Sequence, residues 1–423
     1  VAALGAAGSP PPGRADPYLA LRLGPYRFYL TARIFFLVGS QMQTAAVGWQ
    51  LYERLGSKIA LGYVGLVQIV PILLLALPAG HMADRLNRLH IVLGGQALFL
   101  ACSLGLTALS FAHGDPRLIY GLLFMLAVAR ALITPALSAL LPALIPREAW
   151  GNAATWSSST FELASLLGPA LAGGIIAATA GATCVYVAAA GCAVLSIALS
   201  SRLRPARIEG PRKAASLQDV VGGLRFMFRT KLLLAAASLD LFGVLLGGAT
   251  TLLPVVAKDI LHVGPQGFGW LRSAPSFGAF AMALLTAHRP PWQRAGRALF
   301  LAFLGFGCAV IVFGLSRSFW LSLAALAVTG MCDNINVVIR QTLMQFITPD
   351  AMRGRVSSIN FIFIGCSNEL GGFESGLTAQ LFGTVPAIVG GGVGTILVVL
   401  AVMRLVPGLR RLGRMQDIQP APA

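Results

Sequence analysis

Nine ionisable side chains interrupt the long apolar stretches of this 423-residue chain: Arg33, Arg130, Arg272 and Arg340, with Glu162, Asp240, Asp333, Glu369 and Glu374. A charge at a bilayer centre costs about 2.5–3.5 kcal/mol on insertion scales, so these groups must face one another, a cavity or water. The chemistry open to them is ion pairing, binding of a polar solute and, for a partly desolvated acid, exchange of a proton. Covalent catalysis is not indicated. An embedded transferase would need His, Asp or Ser clustered near one interface, whereas His81, His90, His113, His262 and His288 are scattered, and no HExxH or Walker pattern is present. The six cysteines lie in or beside apolar stretches without CxxC spacing and read as small buried apolar residues. No disulfide, metal or cofactor is implied. Gly390-Gly391-Gly392-Val393-Gly394 lies in an apolar run with no following Lys, so it reads as a close-packing segment rather than a phosphate loop.

The elements that hold these groups follow from composition. Hydrophobic residues make up 56% of the chain and Asp, Glu, Lys and Arg only 11%, against about 25% charged in a soluble domain. A soluble surface and a disordered chain are both excluded. Twelve continuous apolar runs are each long enough to cross the hydrocarbon core as a helix: roughly 28–51, 59–80, 91–112, 118–142, 154–178, 183–201, 232–256, 266–287, 298–316, 319–345, 357–382 and 385–404. The expected fold is an all-α membrane protein. Its parts are an N-tail (1–27), a first six-helix bundle (28–201), a linker (202–231), a second bundle (232–404) and a C-tail (405–423). The first 17 residues lack the apolar core of a signal peptide.

The net charge of +17 is mostly a topology signal. Of the 32 Lys and Arg residues, 23 fall in the tails and the loops on their side, five in the opposite loops and four inside spans. That asymmetry predicts cytoplasmic termini, with anionic lipid rather than nucleic acid as the partner of the excess.

An offset of 203 residues aligns the two sets of six spans and superimposes Pro146 on Pro349, Leu167-Gly168 on Leu370-Gly371, Gly173 on Gly376 and Arg130 on Asp333. Such repeats mark secondary transporters, whose substrate site lies between the halves near the midplane. Spans three, six, nine and twelve carry none of the nine charges, so every third helix is expected at the periphery.

Two motifs carry a family resemblance. Gly80-His81-Met82-Ala83-Asp84-Arg85-Leu86-Asn87-Arg88 resembles the G-x-L-A-D-R-x-G-R-[KR] signature of the major facilitator superfamily, and Gly168-Pro169-Ala170-Leu171-Ala172-Gly173-Gly174 is similar to its G-P-x-x-G-G antiporter motif with one residue inserted. The order of Arg33, the Asp84 loop, Arg130, Leu141-Pro142-Ala143-Leu144-Ile145-Pro146 and Thr348-Pro349-Asp350-Ala351-Met352-Arg353-Gly354-Arg355 resembles the branch of enterobactin exporters and macrolide-efflux proteins. Asn87 replaces the usual Gly, where a left-handed turn tolerates Asn. The matching loop of the second half, 288–297, lacks the acid.

The resemblance implies a bacterial inner-membrane transporter, a monomer that exports a small siderophore- or drug-like compound by proton-coupled alternating access. A lipid or lysolipid flippase without proton coupling is the alternative. It also implies that spans one, four, seven and ten line the cavity, here with Arg33, Gln41, Gln43, Arg130, Asp240, Asp333, Asn336 and Arg340. Asp333, Asn336 and Arg340 are spaced to share one helical face. The repeat suggests an Arg130–Asp333 contact across that cavity. Asp240, Asp333, Glu369 and Glu374 are the candidates for proton coupling; Glu162, Glu369 and Glu374 either line the cavity or join the halves. Gly80, Asp84, Arg85, Arg88, Arg353 and Arg355 form a gating latch or anchor loops at the headgroups. Gly168, Pro169, Gly173, Gly371 and Gly376 are hinge or close-packing positions. Trp49, Tyr52 and Trp320 read as interfacial anchors.

Overall fold

A computed structural model describes residues 18–204, 217–287, 292–349 and 352–413. Parts of the expected tails and linker (1–17, 205–216 and 414–423), and the loop positions 288–291 and 350–351, lie outside the described residues.

The first six apolar runs become α1 Gly24–Leu55, α2 Lys58–Arg85, α3 Arg88–Phe111, α4 Leu118–Leu144, α5 Trp150–Thr179 and α6 Thr183–Ser200. The second six become α7 Lys231–Gly247, α8 Gly264–Ala287, α9 Ala295–Leu315, α10 Phe319–Ile347, α11 Arg353–Phe382 and α12 Thr384–Leu405. Among the described residues there is no strand. Helix is the form that satisfies every backbone group within one segment when lipid offers no partner.

Among the described residues, nine helices are long and apolar enough to cross a membrane by length and composition alone. The other three, α1, α8 and α11, are more polar: α1 carries Arg27, Arg33, Glu53 and Arg54, α8 carries Arg272, and α11 carries Arg353, Arg355, Glu369 and Glu374. The seventh run departs from regular helix. Gly248 (ψ 44°) ends α7, and the chain continues as a 3-10 turn at Ala249–Leu252, a short turn at Leu253–Val255 and a π turn at Val256–Ile260.

Both halves repeat one packing plan. In the first, α1 packs on α5 and α6, α3 on α4 and α6, and α2 on α4; in the second, α7 packs on α11 and α12, α9 on α10 and α12, and α8 on α10. Across the seam α2 packs on α11 and α5 on α8. The principal partners of α3, α6, α9 and α12, which carry none of the nine charges, lie in their own halves.

Two local results refine the sequence reading. Asn87 is extended (φ −64°, ψ 113°), and its side chain accepts from the Leu89 amide at 3.0 Å, so Asn caps α3 here instead of supplying a left-handed turn. Of the cysteines, Cys102 is buried as expected, but Cys184 of α6 and Cys308 of α9 are exposed rather than buried. Within the linker, helix Leu217–Arg229 lays Gly223 against Ile359 and the Arg355 backbone at the start of α11.

Candidate functional site

The second half builds a buried polar cluster from three helices. Arg340 of α10 lies 3.4 Å from Asp240 of α7, and the two residues are only 3% and 6% exposed. Arg340 also donates to Asn360 Oδ1 of α11. Asn336, one turn before Arg340, donates to Asp240 Oδ1 at 2.7 Å and lies 3.5 Å from Asp333 Oδ1. The face that Asp333, Asn336 and Arg340 share thus points at α7 and α11. A cavity beside it is lined by Gly243, Phe303, Phe306, Cys332, Asp333 and Asn336. A buried pair of this kind holds together only while both partners are charged.

The first half holds the matching cavity, lined by Ser40, Gln43, Thr44, Val64, Gln68 and Arg130 among others. Arg130 of α4 donates to Gln68 of α2 and lies 4.0 Å from Glu369 of α11. The expected Arg130–Asp333 contact is not formed. The repeat puts these two residues at equivalent places on α4 and α10, but α11 crosses α2 beside Arg130 and brings Glu369 closer. Glu369 therefore joins the halves, and reaches the cavity wall only through Arg130. Glu162 of α5 lies within electrostatic reach of Asp333 across the seam. Glu374 sits beside Ser375 and Thr378 on its own helix.

The remaining first-half residues are tied into packing. Gln41 donates to Ser165 of α5 at 2.6 Å. Gln43 accepts from Ser103 at 2.7 Å, while its Nε2 is buried without an acceptor. Arg33 lies beside Tyr29.

The seam is sealed at the end of the helices that bears the short loops, opposite the termini. Tyr52 of α1 donates to Asp259 in the π turn after α7, and the Lys258 ammonium stands 5.9 Å from the Tyr52 ring centre. Trp49 packs on Phe268 of α8 with ring centres 5.4 Å apart, and Tyr63 of α2 stacks on Phe373 of α11 at 6.2 Å. Deeper in, Ser273 of α8 donates to the Leu166 carbonyl of α5 at 2.6 Å. Trp49 (4% exposed) and Tyr52 (6%) are therefore seam residues rather than the expected interfacial anchors; Trp320, at 74%, stands exposed at its helix end. A position near a helix end ordinarily faces the headgroups, and here the other half covers that end.

The glycine positions are points of close approach. A Cβ on Gly173 would stand 2.8 Å from Gly269 Cα of α8, and one on Gly376 would stand 2.7 Å from Gly62 Cα of α2. Gly168 presses on Gln41 and Met42 of α1, Gly371 on the backbone of Leu245, and the Pro169 carbonyl on Gly269.

At the opposite end, the side chains of Asp84 and Arg85 lie outside what the structure describes. Among the described residues, nothing stands within 4 Å of the Cβ position on Gly80. Arg88 donates to the Ala139 carbonyl at 3.0 Å, Arg353 to the Gln345 carbonyl at 3.2 Å, and Arg355 stands 3.4 Å from Met352 Sδ. Each of these contacts stays within one half.

Sequence reasoning did not single out Gln68, Asp259 or Phe268. A lone Gln in the apolar centre of α2 was a usable signal for the first. The other two matter only through partners in the opposite half.

Comparison with known proteins agrees with this architecture. Residues 15–417 match the family described as transmembrane secretion effector. The chain is 27% identical over 338 residues to the enterobactin exporter EntS of Citrobacter koseri, covering 78% of this chain and 80% of that one. It is 25% identical over 377 residues to the multidrug efflux pump Tap of Mycolicibacterium fortuitum, covering 85% and 90%. Among solved structures, a bacterial homolog of the human lysosomal transporter Spinster, inward-facing and unoccupied, superposes with a TM-score of 0.71 at 14% identity, over 94% of this chain and 99% of that one. A peptide transporter POT in complex with sulfate superposes with a TM-score of 0.71 at 13% identity, over 95% and 100%.

Proposed function

Because the chain belongs to the transmembrane secretion effector family of the major facilitator superfamily and is a multi-pass membrane transporter rather than an enzyme, we propose that it exports a small siderophore- or drug-like organic compound across the bacterial inner membrane in exchange for protons. Export and cargo class rest on the relatives, an enterobactin exporter and a multidrug efflux pump. Both termini lie in the cytoplasm, in keeping with the basic face of the chain. The sealed short-loop end is then the outer gate, and the cavities are reached from inside.

The observation that carries proton coupling is the buried Asp240–Arg340 pair, joined through Asn336 to Asp333 at the cavity wall. A proton taken up at Asp240 removes its negative charge and leaves the Arg340 cation without its counter-charge, which loosens the packing of α10 on α7. Arg130 and Glu369 link the halves and provide a second place where a charge change reaches the seam.

The test uses the full chain in proteoliposomes with enterobactin and, separately, ethidium as cargo. Net movement should accelerate when a pH gradient is imposed and stop when a protonophore collapses it. Movement at the same rate with and without the gradient would remove the antiport reading and leave facilitated passage.

A further inference from the structure

We propose that Arg272, near the outer end of the seam, is the anchor for an oxyanion on the transported compound, a carboxylate, phosphate or sulfonate. The word "transported" rests on the function proposed above; the anion site itself does not.

Arg272 is eight residues into α8, about 12 Å below the short-loop end. It is half-buried and, among the described residues, makes no hydrogen bond or ion pair. The other deep cations are engaged: Arg340 with Asp240 and Asn360, Arg130 with Gln68 and Glu369, and Arg33 beside Tyr29. A guanidinium held in a membrane-embedded site with no counter-charge is the arrangement least expected of a purely structural residue.

Its direction follows from its neighbours. Phe268 lies one turn nearer the short loops on the same face of α8 and packs on Trp49 of α1. Ser273 and Gly269, on the adjoining face, are taken up by Leu166, Pro169 and Gly173 of α5. Pro275 and Gly278 press on Gly330 and Ala327 of α10. The face that bears Arg272 therefore looks toward α1 and the seam, beneath the aromatic seal. That seal contains a second unsatisfied donor, because the Trp49 indole Nε1 is buried without an acceptor. Two donors lacking acceptors flank Phe268, and an oxyanion matches them in charge and in hydrogen-bonding sense. Guanidinium binds such groups through paired N–H donors, which an ammonium cannot do.

The test is thermal unfolding of the purified full chain in neutral detergent, at matched ionic strength so that screening is constant. The probes are benzoate, phenyl phosphate and benzenesulfonate, with benzamide and benzylamine as neutral and cationic counterparts. The oxyanions should raise the wild-type Tm and the counterparts should not. Arg272→Gln should weaken the apparent affinity for the oxyanions by about tenfold or more, and Arg272→Lys should retain part of it. Without any probe, Arg272→Gln should be at least as stable as wild type, because it removes an unpaired charge. A Tm several degrees lower in probe-free Arg272→Gln would show that Arg272 has a structural partner and would overturn the proposal. So would oxyanions that stabilise neither protein, or both equally. A stabilisation produced by phosphatidylglycerol but by none of the soluble probes, and lost in Arg272→Gln, would uphold the oxyanion site and assign it to a lipid headgroup. Probe binding that depends on Arg272 in a protein that moves no cargo would remove the transport reading and leave the site standing.

Discussion

Gly173 and Gly376 lie 203 residues apart and make the same contact in the two halves, each pressing its helix onto a glycine of the opposite half. Gly173 of α5 meets Gly269 of α8, and Gly376 of α11 meets Gly62 of α2. The sealed end is thus closed twice by one device, and absence of a side chain is what permits it. Gly376→Val should force α11 away from α2. Overpacking of this kind costs about 1–3 kcal/mol, which shifts a two-state equilibrium about 5- to 150-fold. Hydrogen exchange should rise at the short-loop ends of α2 and α11, with little change at the opposite ends. Uniform protection in the variant would mean that the seam absorbs the methyl groups without opening.

Asp240 and Arg340 behave differently from an exposed pair, because neither can turn to water. Asp240→Asn should cost about 3–5 kcal/mol of stability by leaving Arg340 uncompensated. The double variant Asp240→Asn with Arg340→Gln should recover most of that loss, since the orphaned charge is gone. It should not recover gradient-driven transport. Thermal unfolding and the proteoliposome assay, run on the two single variants and the double one, separate the packing contribution from the coupling one. Recovery of gradient response in the double variant would remove the pair from the coupling mechanism.

Tyr52 ties α1 to the π turn after α7 through its hydroxyl alone, while its ring serves Lys258. Tyr52→Phe keeps the ring and loses the donor to a carboxylate, so a stability change of about 1.5–3 kcal/mol is expected. The functional effect should be larger than the stability effect if this contact holds the outer end shut. Leakage of cargo in the absence of a gradient is the readout. Leakage at the wild-type rate would place the seal in the Trp49–Phe268 and glycine contacts.

Much of the architecture was legible because membrane helices are specified locally. The apolar run sets each helix, the basic loops set an expected side, and the 203-residue offset shows the repeat. The polar cluster of α10 was legible for the same reason, since Asp333, Asn336 and Arg340 share a face by spacing alone. Partners in the other half were not. Arg130 takes Glu369 rather than Asp333 because helix crossing, not repeat register, sets which carboxylate is near. Trp49 and Tyr52 look like headgroup anchors in sequence, and only the contact of α1 with α8 and with the π turn after α7 turns them into a seal. The isolation of Arg272 is likewise invisible in sequence, because being unpaired is a statement about every neighbour.

Glu369 is the acid whose position tests the coupling scheme most directly. It lies on α11, borders the first-half cavity through Arg130 and crosses the seam to do so. Unlike Asp240 it faces a cation that is about one-third exposed, with a side-chain accessibility of 36%, and that keeps Gln68 as a second partner. Glu369→Gln should therefore change the unfolding temperature far less than Asp240→Asn. If its charge reports the gradient to the seam, the variant should still exchange cargo across the membrane at equal pH on both sides. It should lose the acceleration that a pH gradient brings. Arg130→Gln should produce the same separation of exchange from gradient response, because the pair is broken from the other side. Glu369→Gln with a full gradient response would confine coupling to Asp240 and Asp333, and would reduce the Arg130–Glu369 contact to a tether between the halves.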